Sequence, residues 1–178
     1  MTEPAILARW SALVTAIQRL SVAVSVDDVV AILRESTREI AASDGITVVR
    51  RRADEVEYVA EDALAPLWVG QSFPIKACIS GLAMLDRKPI IIPDITNDPR
   101  LVYNYYRDTF VGSMAMFPVG FDESRFAIGT YWARQGPIDP EAIKLLGTLA
   151  RSVGAVLENL AALESATGEH ASLLRKAL

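Results

Sequence analysis

The apolar positions follow a helical period at both ends of the chain. Over residues 5–24 and 140–164 an apolar residue recurs every three or four positions, which predicts two amphipathic helices. The first helix has a narrow apolar seam formed by Ile6, Trp10, Leu13, Ile17, Leu20 and Val24. Such a seam is typical of a coiled-coil contact, but a helix packed only on its own domain can show it as well. The sequence leaves both interpretations open.

Capping residues mark where the helices begin. Ser25 and Asp28 form a capping box, which predicts a second helix that continues to about residue 42. We expect Gly45 to supply the left-handed cap that ends it. Asp139 is the predicted N-cap of the last helix, and Pro140 is its first residue. The helical pattern weakens over residues 165–170 and can resume over residues 171–178.

Strand patterns occupy the middle of the chain. β-Branched residues predict a hairpin of residues 46–51 and 56–60, and a short strand over residues 90–92 between two prolines. Alternating apolar residues predict two further strands over residues 111–119 and 126–134. Tight turns join most of these strands. We therefore predict an α+β domain with an antiparallel sheet and helices on one face.

A long excursion over residues 61–110 separates the first strands from the last ones. It contains a turn followed by a short predicted helix over residues 82–85, whereas residues 70–77 are expected to form a loop. Asp98 and Pro99 predict the start of a further helix. Residues 101–110 are expected to form a short helix or turn that carries three tyrosines.

The composition narrows the class of partner and the compartment. The 178 residues carry a formal charge of −4 and a pI near 5.1, so neither nucleic acid nor an anionic membrane is expected as a partner. The N-terminus lacks the pattern of a signal peptide, and Lys144, Arg151 and Glu158 interrupt the longest helix. We therefore expect a cytoplasmic protein. A single cysteine excludes an intramolecular disulfide and a four-cysteine metal site.

Three stretches in order along the chain resemble a GAF domain, a sensor module of signalling proteins related to PAS domains. They are CISGLAMLDRKPIIIPDITNDPR, SMAMFPV with AIGTYWA, and DPEAIKLLGTLARSVGAVLENL. The resemblance spans residues 25–160. More narrowly, CISGLAMLDRKPIIIPDI together with YRDTFVGSMAMFPV looks like GAF domains placed ahead of bacterial sensor histidine kinases. The resemblance implies about six antiparallel strands, helices on one face of the sheet and a lidded ligand pocket on the other.

The resemblance also suggests how the chain is divided. We assign residues 1–24 to a dimerisation helix, residues 25–164 to the GAF-like sensor domain and residues 165–178 to a helical extension. Kinase activity, if the protein has any, would lie outside this chain, since neither a kinase region nor a nucleotide-binding glycine box is present. The expected function is therefore the sensing of a small molecule in a bacterial signalling protein, such as a two-component histidine kinase.

We expect the pocket between the sheet and residues 70–110. Aromatic bodies with polar tips suit a small organic ligand. The expected lining residues are Phe73, Cys78, Met84, Asp94, Tyr103, Tyr106, Met114, Met116 and Tyr131. Alternatively, the tyrosines close a core that needs no ligand. Asp94 and Asp98 are interpreted as capping residues rather than as a cation site.

Cys78 is the candidate for redox chemistry. It precedes a short helix whose amide dipoles can lower a thiol pKa, so a single-cysteine redox sensor is one hypothesis. The alternative is a small apolar filler under the lid. Methionine sulfoxide reduction by GAF proteins relies on several cysteines, and no Ser-His-Asp set, zinc cluster or phosphate loop occurs here. We therefore expect no catalytic residues.

The cofactor is left unknown. Bilin-binding GAF domains attach the chromophore through a cysteine that is commonly followed by a histidine. Covalent bilin attachment is not expected here, because the comparable stretch of this chain, LVYNYYRDTF, has neither residue. A histidine-ligated haem is not expected, since the only histidine is His170, beyond the closing helix. Phe121, Asp122 and Glu123 are interpreted as turn residues rather than as part of a cyclic-nucleotide site.

Apolar seams on the terminal helices predict a homodimer that pairs them as a bundle. The expected contact residues are Ile6, Trp10, Leu13, Ile17, Leu20, Leu146, Val153, Leu157 and Leu160. A ligand that favours one arrangement of the lid would act through the closing helix on a downstream kinase or output domain. A structural dimerisation module with a filled pocket is the competing hypothesis, beside the Cys78 redox sensor.

Overall fold

The computed structural model describes residues 3–120 and 123–176, with the side chains of residues 3–120 and 123–166. The helices are α1 (Glu3–Leu20), α2 (Val26–Ala41), α3 (Ile79–Asp86) and α4 (Pro140–Lys176). The strands are β1 (Gly45–Arg52), β2 (Glu55–Ala63), β3 (Ser72–Pro74), β4 (Ile90–Ile92), β5 (Ser113–Val119) and β6 (Phe126–Trp132). No helix in this described part of the chain is long and apolar enough to cross a membrane.

The strands form one antiparallel sheet in the order β3-β2-β1-β6-β5-β4. The antiparallel α+β fold and the short strand over residues 90–92 are therefore confirmed, and the predicted strands β1 and β6 are the two central ones. β3 was not predicted: residues 70–77 were expected to be a loop, but three of them pair with the edge of β2.

Each face of the sheet has its own hydrophobic core. The helix-side core packs α1, α2 and α4 against one face. The lid-side core packs residues 64–112 without β3 and β4, called the lid below, against the other. Alternation along β5 and β6 sends Phe117 and Ile128 to the helix side, and Met114, Met116 and Tyr131 to the lid side. These are the two faces that regular alternation of side chains predicts for each of these strands.

A bulge in β2 changes which face its side chains reach. Val48 of β1 pairs with Ala60, but the next residue, Val49, pairs with Tyr58, so Val59 is an extra residue in β2. Tyr58 consequently lies in the lid-side core while Ala60 lies in the helix-side core. Regular alternation would have put both on one face, because they are two positions apart.

The predicted helix starts are confirmed for α2 and α4. The Ser25 hydroxyl accepts a hydrogen bond from the Asp28 backbone N–H at 3.1 Å, and the Asp28 carboxylate accepts one from the Val24 backbone N–H. Asp139 accepts a hydrogen bond from the Glu141 backbone N–H at 3.1 Å. These side chains satisfy amides that the first helical turn leaves without partners.

Gly45 is not the left-handed cap of α2, contrary to the prediction. Ala42 adopts that conformation, with φ 49°. Gly45 instead begins β1, where an added Cβ would come within 2.8 Å of the Ala63 Cβ and 2.9 Å of the Phe110 Cζ. The close approach of a neighbouring strand and a lid side chain, rather than a turn, accounts for the glycine.

Three further local predictions differ from the structure. α3 begins at Ile79, so the predicted turn is its first helical turn, and Gly81 lets it pack against the carbonyl of Ile75, 1.8 Å from where a Cβ would lie. Asp98 starts no helix, because its carboxylate accepts a hydrogen bond from the Arg100 backbone N–H in a local turn. The predicted weakening over residues 165–170 does not interrupt α4.

The α1 seam faces largely into its own domain. Five predicted dimer contacts lie in the helix-side core: Leu13, Leu20, Leu146, Val153 and Leu160. They cannot touch a second copy while the fold is kept, so the prediction is corrected for these five. The other four, Ile6, Trp10, Ile17 and Leu157, are partly exposed.

Arg9 explains why α1 packs so closely on its own domain. Its buried guanidinium donates to the carbonyl of Ile40 at 2.8 Å, to that of Ala41 at 3.3 Å, and to the Asp139 carboxylate at 2.7 Å. One side chain therefore joins α1 to the end of α2 and to the cap of α4. The Trp10 indole N–H adds a second link to α4, a hydrogen bond of 2.6 Å to Glu141.

Candidate functional site

The lid-side core brings together most of the residues predicted to line a pocket. The predicted residues that lie within it are Cys78, Met84, Tyr106, Met114, Met116 and Tyr131, and Phe73 packs against its edge. β5 and β6 supply Met114, Met116 and Tyr131 on alternate positions, while α3 and the rest of the lid cover them. The sheet therefore forms the floor of the site, and the lid forms its roof.

Two of the predicted lining residues lie elsewhere. Asp94 sits on the surface in a side-chain turn, where its carboxylate accepts hydrogen bonds from the Thr96 backbone N–H at 2.9 Å and from the Gln135 amide at 3.0 Å. Tyr103 is 47% exposed on the outside of the lid. Neither side chain contributes to the core, because both belong to surface turns of the lid. The capping interpretation of Asp94 fits this turn better than a ligand contact.

Side chains fill the space where an open cavity was predicted. Met84, Met114, Met116 and Tyr131 are each at most 1% exposed and pack against one another beneath the lid. Surface clefts occur at other places, such as one beside Trp132 and another between α2 and β2. The described conformation therefore has packed side chains at this place, and an open cavity beneath the lid stays a prediction.

An aromatic cluster occupies the centre of the lid-side core. Trp68, from an irregular part of the lid, makes edge-to-face contacts with Tyr58, Tyr106 and Tyr131 at centroid distances of 5.5, 5.1 and 5.4 Å. Phe73 adds contacts with Tyr58 and with a further lid tyrosine. Such contacts orient the rings as well as burying them, which gives the centre of the site a defined shape.

A chain of polar side chains crosses the floor beneath these rings. It runs from Cys78 through Ser80 and Tyr58 to Tyr131 and Thr47. The Ser80 hydroxyl lies 3.3 Å from both the Cys78 Sγ and the Tyr58 hydroxyl, and the Tyr131 hydroxyl lies 2.9 Å from the Thr47 Oγ1. Tyr58 and Tyr131 are hydrogen-bonded to each other. Hydroxyls and a thiol can both donate and accept, so this polar chain can reorganise around a new polar group.

Gly129 makes room for one end of the polar chain. An added Cβ at this position in β6 would lie 2.4 Å from the Tyr131 hydroxyl and 2.6 Å from the Thr47 Oγ1. The Tyr131 phenol therefore folds back over its own strand to reach Thr47 on β1. No other residue type leaves space for this contact.

The electrostatics of the site favour uncharged groups. Burial raises the pKa of Tyr58, Tyr106 and Tyr131 above the usual range, so all three phenols are protonated at neutral pH. Among the residues whose side chains are described, the one charged group that is buried is Arg9, on the helix side. The lid-side core therefore has no charge to pair with an ionic ligand.

Cys78 does not have the environment of a reactive thiol. Burial raises the pKa of the thiol, and hydrogen bonds from Ser80 and from the Gly81 backbone offset only part of that effect. Its Sγ donates a weak hydrogen bond to the Pro74 carbonyl at 3.6 Å. The predicted lowering of the pKa by the helix is wrong, because desolvation outweighs the amides. The filler role is the one that this geometry favours.

Sequence reasoning missed Thr47, Tyr58, Trp68 and Ser80. Thr47 lies between two apolar residues of a strand, and a lone buried threonine is a weak signal. Trp68 lies in a stretch without periodicity, although a large aromatic residue in such a stretch is itself a signal for a buried contact. His170, Phe121 and Asp122, which were interpreted as residues without a ligand role, lie outside the residues whose side chains are described. No group of His, Cys, Asp and Glu in the described part is arranged to hold a metal ion.

Comparisons with known proteins agree with this geometry. The family model described as GAF domain matches residues 23–158. The fold is similar to the GAF domain of an Acinetobacter phosphoenolpyruvate-protein phosphotransferase, with a TM-score of 0.74 and 16% identity over 91% of this chain and 97% of that chain. None of the curated proteins matches the chain significantly.

Two further solved structures show the range of proteins that share the fold. The chromophore-binding domain of a bacteriophytochrome from R. palustris has a TM-score of 0.72 and 19% identity over 87% of this chain and 62% of that chain. A free methionine-R-sulfoxide reductase from Neisseria meningitidis, in complex with its substrate, has a TM-score of 0.72 and 14% identity over 89% of this chain and 92% of that chain. At these identities the likeness concerns the fold alone.

Proposed function

The chain belongs to the GAF domain family, and from this premise we propose that it senses a small molecule in the lid-side core and relays the bound state through its terminal helices. The output is a bacterial signalling protein, with a two-component histidine kinase as the proposed context. The chain acts as a regulatory module, and any kinase activity belongs to another region or another protein.

The observation that carries this proposal is the polar chain beneath the aromatic cluster. A core that only had to be stable would be served as well by apolar side chains, since buried polar groups contribute little net free energy. Here Thr47, Ser80, Tyr58 and Tyr131 hydrogen-bond mainly to one another. Their hydroxyls can pair with polar groups of a ligand when the lid changes its arrangement.

β5 offers a short path from this site to α4. Met114 and Met116 face the lid-side core, while Ala115 and Phe117, on the opposite face of the same strand, pack in the helix-side core with Leu149 of α4. A change in packing on one face of a stiff strand alters the contacts on its other face. α4 then continues beyond the domain as far as Lys176.

The proposed relay needs a second copy, and the terminal helices offer apolar surface for one. Leu7 and Val14 of α1 are 62% and 51% exposed, and Leu163 of α4 is 63% exposed. Leu7 and Val14 are seven positions apart and thus lie on one side of the helix. We propose these residues as homodimer contacts in place of those that the monomer core uses.

A structural dimerisation module is the alternative function, and the packing of the lid-side core favours it over an enzyme. The fold is shared with a sulfoxide reductase, but this chain has one cysteine, which lies buried with a raised pKa. Reduction of a sulfoxide by a single thiol would leave no second thiol in the chain to release the oxidised product. The regulatory role is therefore the one we propose.

Native mass spectrometry of the purified protein tests the sensing proposal. We expect a small molecule to be retained in the folded protein and released on denaturation. Pools of cell metabolites should raise the melting temperature in the same way, because a ligand that binds only the folded state stabilises it. The matched control is the double variant Thr47→Val with Tyr131→Phe, which keeps the shape of the site but removes one end of the polar chain. Absence of both retention and thermal shift in the natural sequence would leave only the structural role.

A further inference from the structure

We propose that Trp68 is an internal plug in the sensing site, and that the site takes a neutral, planar aromatic molecule of indole size with an N–H donor, which displaces this side chain. The inference rests on the proposed sensing function and adds the chemical class of the ligand and the part of the lid that moves.

Trp68 is held by a short surface segment rather than by a helix or strand. Leu64 and Val69 of this segment are 61% and 51% exposed, whereas Leu67 and Trp68 are 8% and 5% exposed and would leave the core together. Gly70, with φ 82°, follows this segment at the point where the lid turns toward β3. Leu64 and Gly70 are anchored by backbone hydrogen bonds to Asp44 and Tyr58, so the indole can leave the core by a movement of residues 65–69 that breaks no strand pairing of the sheet.

One carboxylate holds the middle of this segment. Glu61 accepts hydrogen bonds from the backbone N–H groups of Leu67, Trp68 and Val69 at 3.1, 2.9 and 2.9 Å. A charged acceptor makes strong hydrogen bonds to amides, so this side chain holds the segment in the closed arrangement. Weakening it should populate the arrangement in which Trp68 has left the core.

The contacts of the Trp68 ring define what can replace it. Its indole N–H donates to the carbonyl of Tyr105 at 3.1 Å, and its faces and edges meet three tyrosine rings. A replacing molecule finds the same acceptor, the same flat aromatic walls, and the tyrosine hydroxyls of the polar chain beneath. Planarity, one N–H donor and the size of an indole follow from this geometry.

The ligand must also be neutral. The buried charged group among the described side chains is Arg9, and it lies in the helix-side core. An anionic or cationic molecule in the lid-side core would lose its hydration without gaining a partner of opposite charge. Indole itself is therefore the probe of choice, and indole-3-acetate is its charged counterpart.

The experiment follows Trp68 and binding together. Protein labelled with 5-fluorotryptophan has three fluorine signals, one for each tryptophan, and the Trp68→Phe variant assigns the signal of Trp68. On titration with indole we expect this signal to move to the position of a solvent-exposed ring, while those of Trp10 and Trp132 stay. 1-Methylindole and indole-3-acetate should bind at least about tenfold more weakly, since one lacks the donor and the other carries a charge.

The Glu61→Gln variant tests the role of the carboxylate. It should bind indole about tenfold more tightly, because a larger fraction of the protein is already in the competent arrangement. Asp62→Asn is the matched control, since Asp62 neighbours Glu61 in sequence but pairs with Arg38 at the surface. It should leave the affinity unchanged.

The outcomes separate this inference from the proposed function. Indole that binds without moving the Trp68 signal, or an affinity that Glu61→Gln does not raise, overturns the plug. If indole binds neither the natural protein nor the Glu61→Gln and Trp68→Ala variants, the proposed ligand class is wrong. Both results leave the proposed sensing function intact if native mass spectrometry still finds a retained molecule. That function fails only when no molecule is retained and no metabolite pool stabilises the fold.

Discussion

At the scale of single residues, the position of one side chain in the site depends on the absence of another. The Tyr131 phenol reaches Thr47 only because Gly129 has no Cβ, which would lie 2.4 Å from the phenol oxygen. This arrangement resembles the packing of aromatic rings over strand glycines, where the ring covers the exposed backbone. The polar chain therefore depends on a glycine of β6 as well as on the side chains that form it.

Gly129→Ala should consequently push the phenol away from Thr47 and lower the free energy of unfolding by about 1–3 kcal/mol, the usual range for overpacking in a core. Urea denaturation measures this change. Gly147→Ala in α4 is the matched control: an added Cβ there finds its nearest atom at 3.6 Å. It should be neutral or stabilising by up to about 1 kcal/mol, because alanine favours helix. Equal stability of the Gly129→Ala protein and the natural one would contradict the packing argument.

Cys78 gives a prediction about reactivity. Burial raises the pKa of its thiol, so the thiolate fraction at neutral pH is smaller than that of a free cysteine. We expect iodoacetamide to label the native protein much more slowly than the urea-unfolded protein, and the labelling rate to rise as the pH increases toward the raised pKa. Rapid labelling of the folded protein at neutral pH would revive the redox-sensor hypothesis.

At the scale of elements, the packing of α1 is decided by one buried arginine. Arg9 donates to two carbonyls at the end of α2 and to Asp139 at the start of α4. Carbonyls at a helix end lack partners within the helix, so the guanidinium satisfies groups that would otherwise be buried without one. α1 is thus a fixed part of the domain rather than a free dimerisation arm.

Arg9→Met should lower the free energy of unfolding by about 2–3 kcal/mol, the range for hydrogen bonds to charged groups. The control is Arg19→Met, whose exposed ion pair with Glu35 at 2.6 Å should contribute less than about 1 kcal/mol. Urea denaturation of both variants at neutral pH distinguishes the contribution of the buried Arg9 contacts from that of a surface ion pair. Equal effects in the two variants would refute the special role of Arg9.

The ion pair between Arg9 and Asp139 also makes the free energy of unfolding depend on pH. Burial raises the pKa of Asp139, but the hydrogen bonds from Arg9 and from the α4 backbone outweigh it, so the pKa is lowered overall. The stability from this carboxylate is therefore complete above its unfolded pKa of about 3.9 and is lost as the pH falls through the lower folded value. In the Arg9→Met variant the free energy of unfolding should therefore fall less between neutral pH and pH about 3 than it does in the natural protein.

At the scale of the whole molecule, exposed apolar residues remain on the terminal helices after the core has been packed. We expect the double variant Leu7→Glu with Val14→Glu to be a folded monomer and the natural sequence to be a dimer, as measured by light scattering. Leu64→Glu with Leu85→Glu, two exposed leucines away from α1 and α4, should leave the dimer intact. A monomeric natural protein would show that the terminal helices serve only their own domain. Trp10 is unsuitable for this test because it is bonded to Glu141 in its own chain.

The sequence by itself determined most of the elements, the faces of β5 and β6, and most of the residues that meet in the lid-side core. Periodicity and capping are local properties, so helices, strand alternation and the caps at Ser25 and Asp139 could be read from neighbouring residues. The family resemblance predicted a pocket on the face of the sheet opposite the helices, and Cys78, Met84 and Tyr131 lie on that face. Asp94 and Tyr103 were misplaced because residue type does not tell which side of an irregular lid a side chain faces.

Only the tertiary structure decided which partners cover the apolar surfaces. The bulge at Val59 turns Tyr58 toward the lid, although strict alternation would place it with Ala60. The α1 seam packs on its own domain because Arg9 finds its acceptors on α2 and at Asp139, far away along the chain. Trp68 fills the site because the lid folds over the sheet. Each of these outcomes depends on contacts between residues distant in sequence, and a local pattern carries no information about them.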